Sequence, residues 1–525
     1  MKKTWFAAVA AAVALTALVP AGEKAFAATP DMLKFGVTNF ADSLEPTDNY
    51  FGWVVMRYGL GECLVHFDDK MNSEPWLASS WSVSEDKLTW TFVIDERAKF
   101  SNGNKVTGEA AAASIRRVFE RAPRARAMFE PVSVVGEGQN VIITTKTPIA
   151  TLPGMLGDPL FIIIDTSVTD RDYARQGPIC TGPYMVNTYS KALARMDRNP
   201  YYWDGEVPFA HVDIPSIDDP NTRAMALASG EIDMAINIAP GDLAMFNDAK
   251  NYYISSIASL RSVIARVNQH ADRPLGDKRV REALLASLDR ETYCDVLLKG
   301  TFITGGPMIP PSMDYGFNDL VDPNGYDPDR AEKLLAEAGW KDTDGDGFVE
   351  KNGKKLELDF VFYSGRAELP LFAEATQSDA SGVGIKVNLK NVDYNVLNDI
   401  GIQGDYDLLI SNVLTAQAGD PEVYVNMYWK TNHYDSDPAK GTNPQNGSGY
   451  SNAEYDALSD QLATEFDPVK RRELIIAMEK IILEDAATVV FGYPQTNMVS
   501  NTTIANADIK PCDYYWLTKE IKPAN

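Results

Sequence analysis

The stretch that decides the fold runs from Leu356-Glu-Leu-Asp-Phe-Val-Phe-Tyr363 to Ile385-Lys-Val-Asn-Leu389. Residues 356–363 and residues 385–389 each alternate apolar and polar residues, which predicts two β-strands. Residues 370–379 between them have helical spacing of apolar residues. A strand, a helix and a second strand in this order predict an α/β fold.

The same alternation continues on both sides of this stretch. Towards the N-terminus we predict helices at 109–121, 277–288 and 329–338 and strands at 33–37, 88–94 and 141–145. Towards the C-terminus, a long amphipathic helix at 467–484 precedes a strand at 487–493. The chain has 525 residues, too many for one hydrophobic core, and therefore predicts two or three α/β lobes.

The N-terminus predicts a secretory signal peptide at residues 1–27. Basic Met1-Lys-Lys3 precedes an apolar run at 5–19, and small residues at Ala25 and Ala27 mark a cleavage site. A membrane anchor is the weaker alternative, because a membrane-spanning helix needs about 20 apolar residues. No cysteine follows the cleavage site, and we expect an unlipidated periplasmic protein.

Charge and cysteine content exclude several classes of protein. The formal net charge is −24, which argues against binding to nucleic acids or anionic membranes. Cys63, Cys180, Cys294 and Cys512 are widely separated, and the sequence has no C-x-x-C motif. We expect mostly buried free thiols, although an oxidising compartment would permit disulfides.

Catalytic motifs are missing from the sequence. It has no G-x-S-x-G, H-E-x-x-H or P-loop motif, and its 4 histidines are far apart. A hydrolase that uses carboxylates alone stays open, but we expect a binding protein and not an enzyme.

Several segments resemble family 5 of the bacterial extracellular solute-binding proteins, and they follow the family's order along the mature chain. These segments are Pro75-Trp-Leu-Ala-Ser-Ser-Trp81, Lys99-Phe-Ser-Asn-Gly103, Thr181-Gly-Pro-Tyr184, Asn199-Pro-Tyr-Tyr-Trp203, Asp277-Lys-Arg-Val-Arg-Glu-Ala283 and Tyr450-Ser-Asn452. Cys180 replaces the glycine that usually precedes Thr-Gly-Pro-Tyr.

The resemblance implies two α/β lobes that close on a ligand by a hinge motion. It places lobe I, with an extra subdomain, at 28–262, lobe II at 263–491, and a C-terminal return to lobe I at 492–525. It also implies a monomer that delivers a small ligand to the permease and ATPase of an ABC importer. We expect no resident cofactor and no nucleic-acid partner.

Three segments resemble the nickel and metallophore branch of this family: Gly52-Trp-Val-Val-Met-Arg57-Tyr-Gly-Leu-Gly-Glu62, Tyr363-Ser-Gly-Arg366-Ala-Glu368-Leu-Pro370 and Asp513-Tyr-Tyr-Trp-Leu-Thr518. A metal chelate, with nickel as the first choice, is therefore the leading ligand. The alternative is a dipeptide or oligopeptide. Dipeptide-binding members hold the ligand's amino group with an Asp where this chain has Gln417, which weakens the peptide interpretation.

The resemblance also implies the candidate site. Trp53, Arg57 and Tyr58 would face the cleft from lobe I, with Arg57 neutralising carboxylates of a chelator. Gln417 and Asp420 would contribute from lobe II, and His433 would bind the metal. The alternative is an ordinary ion pair between Arg57 and Glu62 and an exposed His433. A chaperone or sensor-coupled receptor with the same fold also stays open.

Residues 342–350 place carboxylates at alternate positions, as a calcium-binding loop does. A 12-residue EF-hand loop that begins at Asp342 would need its Glu at position 353, which is Gly353. A tight polar turn is therefore the preferred interpretation, and calcium binding stays open.

Overall fold

The structure, a computed structural model, describes residues 31–431 and 446–524. The predicted signal peptide and His433 therefore lie outside the described residues. In the described part of the chain, no helix is both long and apolar enough to cross a membrane. All four cysteines are buried and free.

The α-helices are found throughout the described sequence. They are α1 (Gly52–Arg57), α2 (Gly108–Arg121), α3 (Pro123–Met128), α4 (Leu152–Met155), α5 (Tyr173–Gln176), α6 (Pro220–Ser229), α7 (Lys278–Ser287), α8 (Arg290–Thr292), α9 (Pro328–Glu337), α10 (Glu368–Gly382), α11 (Leu397–Gln403), α12 (Glu422–Trp429), α13 (Ala453–Leu462) and α14 (Pro468–Glu484).

The strands alternate with these helices. They are β1 (Met32–Gly36), β2 (Val65–Phe67), β3 (Ser73–Pro75), β4 (Ala78–Val83), β5 (Thr89–Ile94), β6 (Pro131–Glu137), β7 (Asn140–Thr145), β8 (Tyr184–Tyr189), β9 (Leu193–Arg198), β10 (His211–Pro215), β11 (Met234–Ile236), β12 (Tyr252–Ala258), β13 (Arg261–Val267), β14 (Phe302–Thr304), β15 (Glu350–Lys351), β16 (Lys354–Lys355), β17 (Glu357–Phe362), β18 (Lys386–Asn391), β19 (Leu408–Leu414), β20 (Thr488–Asn501), β21 (Ile504–Ala505) and β22 (Lys522–Pro523).

Helices α6, α9 and α14 begin with the same pair of residues, an Asp cap followed by Pro. The cap side chains of Asp219, Asp327 and Asp467 each accept a hydrogen bond from a backbone N–H in the first turn. Proline tolerates the next position because that N–H would have no helical partner, and its fixed φ suits the helix. The Asp-Pro pair thus determines where these helices begin.

Strand β20 connects the two halves of the large sheet. Its first part pairs with β13, where Thr488 lies opposite Arg266, and its second part pairs with β11, where Ser500 lies opposite Met234. The short turn from β12 to β13 makes a second connection beside it. Two adjacent crossings of this kind suit a hinge. The numerical bounds of the two lobes stay a prediction.

Each part of the molecule has its own hydrophobic core. Helices α7, α9 and α10 pack on β13, β17 and β19 in the second half. In the first half, the four-stranded sheet β4-β5-β7-β6 packs against α2 and forms a separate core. The predicted α/β class is confirmed, and this small sheet is the extra subdomain.

Candidate ligand-binding site

Helix α1 brings Trp53 and Arg57 to one face. Its first residue, Gly52, lies so close to Pro159 that an added Cβ would stand 2.4 Å from the Pro159 carbonyl oxygen. Only glycine fits this approach. Trp53 and Arg57 are four residues apart and therefore neighbours on the helix surface, with the Arg57 guanidinium 5.2 Å from the Trp53 ring centroid.

Arg57 is held by the C-terminal return. Its Nε donates to the Asp513 carbonyl oxygen at 2.8 Å and its Nη2 to Asp513 Oδ2 at 2.6 Å. The guanidinium also lies 4.1 Å from the centroid of the Trp516 ring, a cation–π distance. Arg57 is buried, and its charge is neutralised by Asp513.

Glu62 is not the partner of Arg57, so that alternative interpretation of Arg57 is wrong. The Glu62 carboxylate instead accepts hydrogen bonds from Tyr202 Oη at 3.1 Å and Trp203 Nε1 at 2.8 Å. Burial raises the pKa of Glu62 to about 7, although these hydrogen bonds oppose the shift. Glu62 therefore lacks the nearby cation that would stabilise its charge.

Trp53 belongs to an aromatic layer, whereas Tyr58 does not. The Trp53 ring centroid lies 5.7 Å from that of Tyr50 and 5.2 Å from that of Tyr514. Tyr58 is only 1% exposed and packs in the hydrophobic core. The structure therefore does not bring the predicted Tyr58 to the cleft. Trp53, Arg57, Asp513 and Tyr514 form a surface that we call the α1 wall.

Gln417 contacts Asp158 from the first half of the chain and Tyr514 from the C-terminal segment. Its Nε2 donates to Asp158 Oδ2 at 2.8 Å, and its carbonyl oxygen accepts from Tyr514 Oη at 3.3 Å. Asp158 is fully buried and forms a bidentate ion pair with Arg124, at 2.8 and 3.0 Å. The Gln417 amide that was expected to bind the ligand is thus bound to Asp158, across the two halves.

Asp420 has a structural role in the turn before α12. Its Oδ2 accepts from Arg471 Nε at 2.9 Å and its Oδ1 from the Glu422 backbone N–H at 2.8 Å. Arg471 also binds Glu422 at 2.7 Å. Burial lowers the pKa of Arg471, but both carboxylates together raise it above its ordinary value. Asp420 therefore holds α12 against α14, and its carboxylate is already paired.

Two arginines that the sequence did not single out as site residues meet at one edge of the sheet. Arg261 begins β13 and lies opposite Leu414, the last residue of β19. Arg366 follows β17, which runs parallel to β19. Glu368 Oε1 accepts from Asn412 Nδ2 at 2.8 Å and so holds the Arg366 turn beside the end of β19. We call Arg261 and Arg366 the open pair.

The open pair faces the α1 wall without an ion-pair partner. Burial, and then the charge of Arg366, lower the pKa of Arg261, while Asp513 opposes the shift. Tyr363 and Tyr514 also lie near Arg261. Among the described residues, neither arginine has a carboxylate oxygen within 4.0 Å. Two half-buried guanidiniums that repel each other suit an anionic ligand group.

Sequence reasoning missed the open pair for two different reasons. Arg366 stands in the Tyr363–Pro370 motif, but nothing in that motif shows that its side chain lacks an ion-pair partner. Arg261 looks like any polar residue at the end of a strand, and only the β13–β19 register brings it near Arg366. The region between the α1 wall and the open pair is called the cleft below.

A cavity of about 1060 Å³ opens elsewhere, beside β2 and the C-terminal segment. Its lining comes from residues 56–97, 183–204 and 506–521, all of which fall within the predicted lobe I and its predicted C-terminal return. A ligand there would contact one lobe alone and could not favour closure, because a ligand shifts an equilibrium only by binding one state better. The cleft is therefore the better candidate site.

The fold and the cleft define a two-lobed solute-binding protein, as the sequence predicted. A family model described as "Bacterial extracellular solute-binding proteins, family 5 Middle" matches residues 72–436. The chain belongs to this family, whose members are extracellular components of transport systems.

Relatives of the chain include proteins of both branches considered above. The nickel-binding periplasmic protein of Escherichia coli K12 is 27% identical over 480 residues, covering 88% of this chain and 89% of that protein. The probable D,D-dipeptide-binding periplasmic protein DdpA of the same strain is 26% identical over 506 residues, covering 93% of each chain. The crystal structure of a nickel ABC transporter protein from Bacillus halodurans matches with a TM-score of 0.82 and 24% identity, covering 94% of this chain and 99% of that one. These matches confirm the two-lobed fold and the solute-binding function and include nickel and peptide binders alike.

Proposed function

We propose that this chain captures a metal ion, nickel first, within a small organic chelator that carries carboxylates. The open pair is the observation that supports this ligand class. Two arginines without carboxylate partners would repel a bare Ni²⁺ ion but would stabilise the carboxylates of a chelate. Trp53 and Tyr514 offer flat apolar surface for the organic part of the ligand.

A free peptide would also bring a carboxylate, but it brings an ammonium group as well. At the cleft, Asp158 is paired with Arg124 and Asp513 with Arg57, whereas Glu368 accepts a hydrogen bond from the neutral Asn412 amide. The Gln417 amide is uncharged and bound to Asp158. An ammonium group would therefore meet two carboxylates, Asp158 and Asp513, that are already neutralised, and this favours the chelate over the dipeptide or oligopeptide alternative.

The metal itself needs a ligand from the chelator or from the protein. His433 stays the candidate from the sequence, since a neutral imidazole suits nickel. A contact of this kind would weaken as the pH falls through the histidine pKa, about 6.5 in an unperturbed side chain. The metal is cargo in this proposal, and the protein has no resident cofactor.

Transport needs partners in the membrane. We propose that the closed, loaded protein acts as a monomer, docks on an ABC permease with its ATPase, and performs no catalysis. We also propose that residues 1–27 are removed after Ala27, and that the mature, unlipidated protein works in the periplasm. Family membership and the relatives support this placement.

Calorimetry on the ligand-free chain tests the ligand class. We expect nickel–citrate to bind with a Kd in the micromolar range or below, and free Ni²⁺ and Gly-Gly dipeptide to bind at least about tenfold more weakly. Citrate without nickel separates recognition of the carboxylates from recognition of the metal. Tighter binding of dipeptides than of every nickel chelate tried would make the peptide alternative the function.

A further inference from the structure

A cluster of carboxylates that shares no residue with the cleft lies in the loop from α9 to β15. Asp342, Asp344, Asp346 and Glu350 each offer an oxygen, and these oxygens lie within 4.8 Å of one another. The two oxygens of Asp342 accept from the backbone N–H groups of Gly345 and Gly347, at 2.7 and 3.0 Å. The loop thus folds around its own acidic side chains.

Glu350 reaches the cluster because the chain pairs with itself on either side of the loop. Lys341 and Glu350 exchange backbone hydrogen bonds, Lys341 N to Glu350 O at 3.1 Å and Glu350 N to Lys341 O at 2.8 Å. This pairing brings the ninth residue of the loop inward. An EF-hand loop would place its glutamate at the twelfth residue. In this chain the twelfth residue is Gly353, and the glutamate is at the ninth, so the sequence does not match an EF-hand.

The Glu350 carboxylate is buried with one oxygen unpaired. Its side chain belongs to a residue that is only 8% exposed. Oε2 accepts from Thr343 N and Thr343 Oγ1, both at 2.8 Å. Oε1 is buried and has no hydrogen-bond donor among the described residues. A buried carboxylate oxygen without a donor is costly, and a cation at the cluster would supply the missing interaction.

In the part of the chain that the structure describes, one ammonium group forms ion pairs with carboxylates of this cluster. Lys355 Nζ contacts Asp346 Oδ2 and lies 3.9 Å from Asp344 Oδ2. A single positive charge leaves the cluster strongly negative, and an ammonium cannot bind four oxygens that converge from different directions. Lys355 therefore neutralises part of the charge and would compete with a metal ion.

We propose that Asp342, Asp344, Asp346 and Glu350 form a calcium site that fastens the end of α9 to the β15–β16 hairpin. The donors are hard oxygens on a flexible loop, which suit Ca²⁺ better than Mg²⁺ with its strict octahedron. Gly347 provides the positive φ, +89°, needed for the turn at the sixth position of the loop. This site is independent of the ligand in the cleft.

Calorimetry with CaCl₂ on the full chain, freed of metal with EDTA, tests the site. We expect one Ca²⁺ per chain with a Kd of about 10⁻⁴ to 10⁻³ M, the range of extracellular calcium modules, and at least about tenfold weaker binding of MgCl₂. Glu350→Gln and Asp342→Asn should each weaken calcium binding at least about tenfold. Lys355→Gln should tighten it severalfold, because the competing ammonium is gone.

The exposed Glu374→Gln on α10 is the matched control and should bind calcium like the parent. If Glu350→Gln does not fold, the exposed Asp342→Asn decides the question. No binding by the parent up to about 10 mM CaCl₂, or parent-like affinity in either carboxylate variant that folds, overturns the proposal.

Discussion

The arginines around the cleft fall into two groups with different surroundings. Arg57 and Arg124 are anchored, because each binds a carboxylate of its own lobe at 2.6 to 2.8 Å. Arg261 and Arg366, the open pair, have no such partner among the described residues. An anchored arginine is part of the wall and rigidifies it, whereas an unpaired arginine keeps its hydrogen-bond donors for a ligand.

This difference changes the role first expected for Arg57. The sequence places it in a branch motif and so suggests that it binds the ligand, but its charge is neutralised by Asp513. We propose that the open pair binds the ligand instead. The following experiments separate the two groups, because anchored residues should affect stability and open residues should affect affinity.

The largest effect is expected at the anchored pair of Asp158 and Arg124. Asp158→Ala leaves a half-buried guanidinium and the Gln417 amide without their acceptor. Breaking one side of a buried ion pair costs about 3 to 5 kcal/mol, and we expect the free energy of unfolding to fall by that amount. Urea denaturation measures it, with the exposed Asp329→Ala as control. A loss below about 1 kcal/mol would show that this pair does not hold the wall.

Glu62 tests whether Arg57 is truly bound elsewhere. Its folded-state pKa of about 7 lies above the ordinary 4.5, and the folded protein therefore loses stability as the pH rises from 4.5 to 7. The loss is on the order of 3 kcal/mol. Glu62→Gln removes this titration, and we expect the stability difference between variant and parent to change by that amount over the interval.

Urea denaturation at several pH values between 4.5 and 8 measures this difference. An ion pair of Arg57 with Glu62 would instead lower the Glu62 pKa, and the parent would then lose stability on acidification relative to the variant. That result would show that Arg57 forms an ion pair with Glu62 after all.

The open pair should affect affinity with little effect on stability. Arg261→Gln and Arg366→Gln should each weaken nickel–citrate binding by about tenfold to a hundredfold, or about 1.5 to 3 kcal/mol for a lost hydrogen bond to a charged group. Calorimetry gives the affinity, and thermal unfolding should show a Tm close to that of the parent. Arg195→Gln, an exposed arginine on β9, serves as the charge-matched control. Parent-like affinity in both variants would remove the open pair from the site.

The smallest effect on affinity is expected at Arg57. Arg57→Gln should change nickel–citrate binding by less than about fivefold, roughly 1 kcal/mol, while it lowers the Tm because Asp513 and the Trp516 ring lose their partner. Calorimetry and thermal unfolding on the same sample measure both effects. If Arg57→Gln loses more affinity than Arg366→Gln, then Arg57 and not the open pair binds the ligand.

Most of the fold could be predicted from local pattern. The strand predicted at 356–363 is β17, and the helix predicted at 467–484 is α14 with its Asp-Pro start. The strand predicted at 487–493 continues to Asn501, because its second part pairs with β11 and β12. This extension depends on partners more than 200 residues away, which local alternation of residues does not contain.

The site could be predicted only in part. The sequence predicted that Trp53 and Arg57 lie on the same wall, because both stand in a short motif on one helix, and the structure places both there; their contact with a ligand stays a prediction. It placed Tyr58 at the cleft, where helix geometry turns the side chain into the core instead. It assigned Gln417 to the ligand, although Asp158 binds the Gln417 amide from the other half of the chain. Partners of this kind become visible only when the halves are brought together.

Native mass spectrometry of the protein as purified from its own cells is the decisive test of the metal-chelate proposal. We predict a bound species that contains one nickel or related metal ion and an organic chelator with at least two carboxylates. If the Arg366→Gln variant is purified without this bound species while the Arg195→Gln variant retains it, the species binds in the cleft. A bound peptide without metal would contradict the proposal.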